Sequence, residues 1–321
     1  MKKRTTTIVI ILIFLAGLSL LLYPFIANEW NTYRQKQLIS SYESVVADRE
    51  AAGEIDYEAE RQAAVAYNDA LVPSILPDSF AVAAASDEPD PEYMAALNIA
   101  GDGVMGIVEI PKIDISLPIY HTTTEEVLEK AAGHLEGSSL PVGGESTHAV
   151  ITAHRGLPSA ALFTDLDRLE EGDHFLLHVL DETLSYEVDQ ILTVEPDETD
   201  ALAVEEGEDL VTLITCTPYG VNTHRLMVRG HRVPYEPEVV AEEDTPLTQI
   251  SLHTSYFLWV IVGLAVTGLF VLFLFMIDRR SRRRAAAKAE ELSGARKAQE
   301  TPPARNDHPA QKDDDSRKEQ Q

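Results

Sequence analysis

Two stretches of the chain carry no charge. Thr5 to Asn28 and Thr254 to Ile277 each run 24 residues without an Asp, Glu, Lys or Arg. With a rise of about 1.5 Å per residue, about 20 residues cross a bilayer core, so both stretches predict transmembrane helices. Residues 29–72 hold few Gly or Pro, many Ala and Glu, and apolar positions at mixed three- and four-residue spacing. That pattern predicts helix, with Gly53 separating two of them. From Val72 to Asp102 the periodicity disappears into Pro, Asp, Ala and Ser, as in Leu76-Pro77-Asp78-Ser79-Phe80. A loop this long in a compact domain is either functional or disordered.

From Val104 the pattern changes to short β-branched runs with turn signals. Strands are expected at Val104–Ile110, Ile115–Tyr120, His148–Ala153, Phe175–Leu180, Leu184–Val194, Leu210–Cys216 and Arg225–Val233. Pro118 suggests an edge position for the second of these. Thr122-Thr123-Thr124-Glu125-Glu126 reads as a capping box opening a short helix through Ala132. Gly133–Gly144 reads as loop, and a second short helix is expected near Ala160–Leu169. Repeated strands with few helices predict a closed β-barrel or a sandwich, and about 130 residues suffice for one core. The resulting division is 1–28 cytoplasmic start and signal anchor, 29–103 helical segment and loop, 104–235 β domain, 236–253 stalk, 254–277 second span and 278–321 disordered tail. No internal repeat is visible.

Charge orients this arrangement. The chain carries a net −27, yet basic residues cluster at Lys2-Lys3-Arg4 and at Arg279–Arg284, outside both spans. The positive-inside tendency puts both termini in the cytoplasm and residues from about 29 to 253 outside the cell membrane. Phe25-Ile26-Ala27 is a poor small-x-small cleavage site, which favours an uncleaved anchor. Residues 5–277 hold 11 basic against 44 acidic residues, an exterior that repels nucleic acid.

Cys216 is the only cysteine, so no intramolecular disulfide can form, and an unpaired thiol outside the membrane is a reactive candidate. The ten histidines are scattered without a Cys pair or an H-E-x-x-H run, so no metal is expected. The run Thr212-Leu213-Ile214-Thr215-Cys216 ends a predicted strand, Arg225 follows nine residues later, and His154 ends another strand in Thr152-Ala153-His154-Arg155-Gly156. A thiol needs a nearby cation or base to populate its thiolate. These three residues can supply nucleophile, acid/base and oxyanion donor. His224 is a competing base, but neighbouring strand residues face opposite ways, so it and Arg225 cannot both face the thiol.

These motifs resemble the sortases, and most closely the class C, pilus-assembling branch. Ile110-Pro111-Lys112-Ile113, Leu117-Pro118-Ile119-Tyr120-His121, the stretch from Gly133 to Gly144 and Cys216-Thr217-Pro218-Tyr219-Gly220 agree in order over residues 104–233. The resemblance implies a mainly β fold: a closed barrel of about eight strands with short helices, an N-terminal helical and lid segment and two transmembrane helices. It implies a membrane-anchored cysteine transpeptidase without a cofactor, which cleaves an LPxTG-like sorting signal through a thioacyl intermediate. A lysine of the next pilin subunit would resolve it. The resemblance assigns Cys216 as nucleophile, His154 as general acid/base and Arg225 as oxyanion donor. A sortase that anchors surface proteins to peptidoglycan, or a noncatalytic β-barrel scaffold, are the alternatives. Class C sortases often carry an Asp-Pro-aromatic lid; here it reads Asp78-Ser79-Phe80, with Asp78 placed to pair with Arg225 and Phe80 to cover the thiol. An exposed pair of that kind would contribute only about 0–1 kcal/mol, which implies marginal closure.

Overall fold

The computed structural model describes residues 2–71, 76–82, 89–237 and 252–299. The chain divides into two units, Met1–Gln249 and Ile250–Gln321. The first begins with α1 (Lys2–Ala51), a single helix that carries the first uncharged stretch and continues through Pro24 into the polar segment beyond. Gly53 takes a left-handed φ of +69°, a conformation that costs glycine little and ends the helical run. Asp56 then caps α2 (Tyr57–Ala70) by accepting a hydrogen bond from the Ala59 N–H. Two helical turns, α3 (Ser79–Val82) and α4 (Pro91–Ala95), form inside the segment expected to be irregular. Residues 72–75 and 83–88 of that segment lie outside the described residues.

The strands are β1 (Val104–Ile110), β2 (Ile115–His121), β3 (Ala132–His134), β4 (Thr147–Thr152), β5 (His174–Val179), β6 (Glu182–Val194), β7 (Asp209–Thr217) and β8 (His224–Val233). They close into a barrel in the order β1-β2-β3-β4-β7-β8-β6-β5. The β2–β3 and β4–β7 pairs are parallel and the others antiparallel. Alternate residues fill the interior, among them Val108, Leu117, Ile119, Phe175, Leu177, Tyr186, Val211, Leu213 and Val228. Phe175 and Tyr186 stack there with ring centroids 5.6 Å apart.

Four local expectations are corrected. β2 is no edge strand, since it pairs with both β1 and β3; Pro118 is tolerated because the β3 pairing begins only at Ile119. β3 lies in a stretch read partly as loop. Gly133 is required there, as a Cβ would stand 2.3 Å from the Thr122 carbonyl oxygen. The helix after Thr124 is α5 (Glu125–Leu128), shorter than expected, and the Thr124 side chain makes no capping bond. The chain must turn back into β3 at Ala132, which leaves room for little more than one turn. Around Ala160–Leu169 only a 3₁₀ turn, Leu166–Arg168, forms.

The second unit is α6 (Leu252–Gln299), which contains the second uncharged stretch. It also overturns part of the expected disordered tail, since residues 278–299 are helical. Ala285-Ala286-Ala287-Lys288-Ala289-Glu290-Glu291-Leu292 is rich in the strongest helix formers, so propensity extends the helix beyond its apolar portion. Residues 300–321 and most of the expected stalk lie outside the described residues. α1 and α6 are both long and apolar enough to cross a membrane, over Leu12–Ala51 and Ile261–Leu292.

A buried polar cluster ties α4 to the barrel. The Tyr93 hydroxyl lies 3.0 Å from His134 Nδ1 and 3.1 Å from the His134 carbonyl oxygen, and it accepts the Thr122 N–H at 3.0 Å. His134 Nε2 lies 2.8 Å from the Ser139 carbonyl oxygen. Removing the hydroxyl by Tyr93→Phe strands these buried groups, and the full chain in detergent should lose about 1–3 kcal/mol of unfolding free energy in a denaturant titration. Burial also pulls the His134 pKa from 6.5 down to about 4, because a charged imidazole loses its hydration there. The folded value lies below the unfolded one, so stability present above pH 6.5 is lost as pH falls towards 4. The thermal midpoint should fall across that window, and fall less steeply in His134→Gln. Parallel pH profiles would exclude His134 as a source of the acid sensitivity.

Candidate active site

β7 and β8 pair without a bulge from Leu210↔His231 to Thr217↔His224, which sets Cys216 directly opposite Arg225. Directly paired residues project to the same face of a sheet, so thiol and guanidinium are neighbours by register alone. His224, opposite Thr217, turns the other way; its Nδ1 lies 2.9 Å from Thr223 Oγ1 and its Nε2 3.3 Å from Glu195. On the other flank, β4 runs parallel to β7 with Thr152 paired to Ile214. The Ala153 N–H donates to the Ile214 carbonyl at 3.2 Å, and Thr215 Oγ1 donates to the Ala153 carbonyl at 2.8 Å. His154 and Cys216 each follow that register by two residues, so both emerge at one barrel end. The Phe163 N–H then closes the loop after β4 on the His154 carbonyl at 3.0 Å.

Residues 76–82 cover this end. Asp78 makes a two-pronged ion pair with Arg225, Nε to Oδ1 at 2.7 Å and Nη2 to Oδ2 at 2.7 Å. Both side chains are only 10% and 11% exposed, which replaces the expectation of an exposed, weak pair with a buried and geometrically strong one. The Phe80 ring lies between the two polar groups of the site, 5.4 Å from the His154 ring and 4.9 Å below the Arg225 guanidinium. Thr123 Oγ1 donates to the Ser79 carbonyl at 2.8 Å and Thr199 Oγ1 to the Leu76 carbonyl at 2.7 Å. Leu76 itself packs into a small cluster with Leu135, Val150 and Ile214. Cys216 is 7% exposed beneath this cover.

The electrostatics follow from that cover. Burial pushes the Cys216 thiol up; Arg225 pulls it down and Asp78 pushes it up again. The Arg225 guanidinium is held above its ordinary value, chiefly by its hydrogen bonds to Asp78.

Two residues given no part in the site by the sequence stand beside these groups. Glu125, expected to cap a helix, brings Oε1 to 3.4 Å from His154 Nε2, an ion-pair distance without hydrogen-bond geometry. Arg155 is buried, paired with Asp167, 3.4 Å from Thr217 Oγ1 and 6.0 Å over the Tyr219 ring. It joins the loop after His154 to the loop after Cys216. Its place in the sequence, between His154 and Gly156, is the one signal that marked it.

Residues 108–233 match the model of the sortase domain. Sortase C-1 from Actinomyces oris is 48% identical, with a TM-score of 0.52 over 56% of this chain and 98% of that one. Sortase C from Streptococcus pneumoniae is 45% identical, with a TM-score of 0.53 over 62% of this chain and 97% of that one. Sortase A of Bacillus anthracis is 27% identical over 72% of this chain and 96% of its own. With an eight-stranded barrel and nearly the full length of these solved relatives covered, the chain belongs to the sortase family of cysteine transpeptidases.

Proposed function

We propose that this protein is a membrane-anchored class C sortase that polymerises pilins. The observation that carries the reading is the barrel end where Cys216 opposes Arg225, His154 emerges at the same end and residues 76–82 pack against both. Similarity to class C structures at 45–48% identity supports the branch, and the Streptococcus pneumoniae enzyme is described in terms of its pilin substrate specificity. Positive charge at both chain ends supports a topology with both termini in the cytoplasm and the barrel, residues 104–235, outside.

In this reading the Cys216 thiolate attacks the threonine carbonyl carbon of an LPxTG-like signal. The Thr–Gly C–N bond breaks, and His154 gives its proton to the leaving glycine amine. Arg225 donates hydrogen bonds to the oxyanion of each tetrahedral intermediate. A pilin lysine amine then attacks the thioester and yields a proton to His154. The C–S bond breaks, the thiolate returns and an isopeptide bond remains. Asp78 and the oxyanion compete for the same guanidinium donors, so residues 76–82 must leave before acylation.

Cys216→Ala should abolish covalent ladders when the enzyme is incubated with candidate pilins and the products are read by mass spectrometry. Ladders of undiminished yield would overturn the assignment. His154→Ala and Arg225→Ala should each depress turnover by about 10²-fold or more, and the double variant by less than the product of the two.

Asp78→Ala combined with Phe80→Ala should speed modification of Cys216 by a small alkylating reagent. The sign follows from the groups involved: the change lessens burial and removes the Asp78 carboxylate, both of which raise the thiol pKa, while Arg225, which lowers it, stays. The pH midpoint of alkylation should therefore move down, as a stopped-flow pH series would show. An unchanged rate and midpoint would make the segment a spacer.

A further inference from the structure

One unbroken helix joins the first uncharged stretch to the active-site end of the barrel. α1 runs without interruption from Lys2 to Ala51. From Arg4 to Asn31 is 27 residues, or about 40 Å of helix, which matches the thickness of a bilayer including its headgroups. With Lys2-Lys3-Arg4 at one headgroup layer, Asn31 stands in the other. Trp30 and Tyr33, exposed and 6.0 Å apart, supply the aromatic pair that favours that layer.

Docking of the barrel starts at that same residue. Asn31 Nδ2 donates to the Ser159 carbonyl at 2.7 Å, and one turn on, Gln35 Nε2 donates to the Lys130 carbonyl at 3.2 Å. Ile39, Tyr42 and Val46 continue the face and pack with Val104 and Ile107, and Arg49 reaches the Ile99 carbonyl. Positions 31, 35, 39, 42 and 46 form one helical stripe, and from Asn31 to Arg49 it lies along about 27 Å of the domain. The barrel is therefore strapped lengthwise to the helix, with its near end at Asn31.

That near end is the active-site end. Ser159 belongs to the loop that leaves β4 at His154 and returns through the Phe163 N–H to the His154 carbonyl. β7, parallel to β4, delivers Cys216 to the same end. Glu145, just before β4 begins, marks the opposite end.

We infer that the 155–162 loop seats in the outer lipid headgroup layer, so that Cys216 opens toward the membrane and takes peptide segments presented at its surface. The inference rests on the membrane-anchored reading above and adds a lipid contact to it. Substrates held at the headgroup layer by their own tether reach the thiol; soluble peptides of the same sequence have to diffuse into a site pressed against the bilayer.

The test uses the full chain in a Cys216→Ala background, where an introduced cysteine is the only thiol. Bimane is attached at Ser159→Cys, at its exposed neighbour Pro158→Cys, at Glu145→Cys and, within the span, at Leu20→Cys. The proteins are placed in phosphatidylcholine–phosphatidylglycerol vesicles carrying either headgroup or acyl-chain nitroxide lipids. The expected result is headgroup quenching several-fold stronger at 158 and 159 than at 145, with acyl-chain quenching at 20. Equal quenching at 145, 158 and 159 with position 20 still quenched overturns the inference alone, since the anchor would hold while the barrel stands off. No acyl-chain quenching at position 20 overturns the anchor reading, and the inference with it.

Discussion

The pairing of β7 with β8 is the constraint on which the site depends. Side chains alternate along a strand, so a one-residue slip would set Cys216 opposite His224 or Leu226 and turn Arg225 to the other face. Burial holds the register: Leu210–Cys216 are all buried, and Leu213 and Val228 form a direct pair in the core. β6 takes up its irregularity elsewhere, with a bulge between Val188 and Gln190. The parallel partner β4 then brings His154 out at the same end without any contact between the polar side chains having to hold the sheet together.

Arg225 stands at the centre of a competition. The guanidinium that would stabilise a developing oxyanion is occupied by Asp78, and breaking a buried pair by removing one partner typically costs about 3–5 kcal/mol. Against this, Ser79 Oγ within the segment and His154 Nε2 beside Phe80 are buried with no hydrogen-bond partner among the described residues. Each such atom costs about 1–3 kcal/mol. In the proposed reading, a substrate that gives these atoms partners and replaces Asp78 on Arg225 offsets part of the loss of that pair.

Much of this arrangement was legible in the sequence, and the parts that were not have physical reasons. Seven of the eight strands follow from β-branched runs bounded by Gly and Pro. β3 does not, because Ala132-Gly133-His134 has almost no strand propensity; it pairs because the barrel must close between β2 and β4. Alternation along β8 separated Arg225 from His224, and the structure keeps that separation. The strength of the Asp78–Arg225 pair differs from the expectation because burial is a tertiary property: Phe80 packs on Arg225, and Thr199 holds the segment through the Leu76 carbonyl from 123 residues away. Glu125 and Arg155 were overlooked for the same reason, since only the fold brings them to His154 and Thr217.

Ser79 shows how one residue sets this balance. It opens α3, and the first position of a helix is where proline fits best, because its fixed φ suits the turn and its missing N–H is needed least. The Asp-Pro-aromatic form of the segment would therefore fit the backbone seen here. Serine keeps the anchor that matters to the neighbour, since its carbonyl accepts the Thr123 hydroxyl, but it adds a buried hydroxyl without a hydrogen-bond partner among the described residues. It also leaves the displaced segment more conformational freedom than proline would. Both effects favour the displaced state. If the segment acts as the proposed lid, Asp78 gives the covered state a defined geometry while Ser79 makes that state easier to leave.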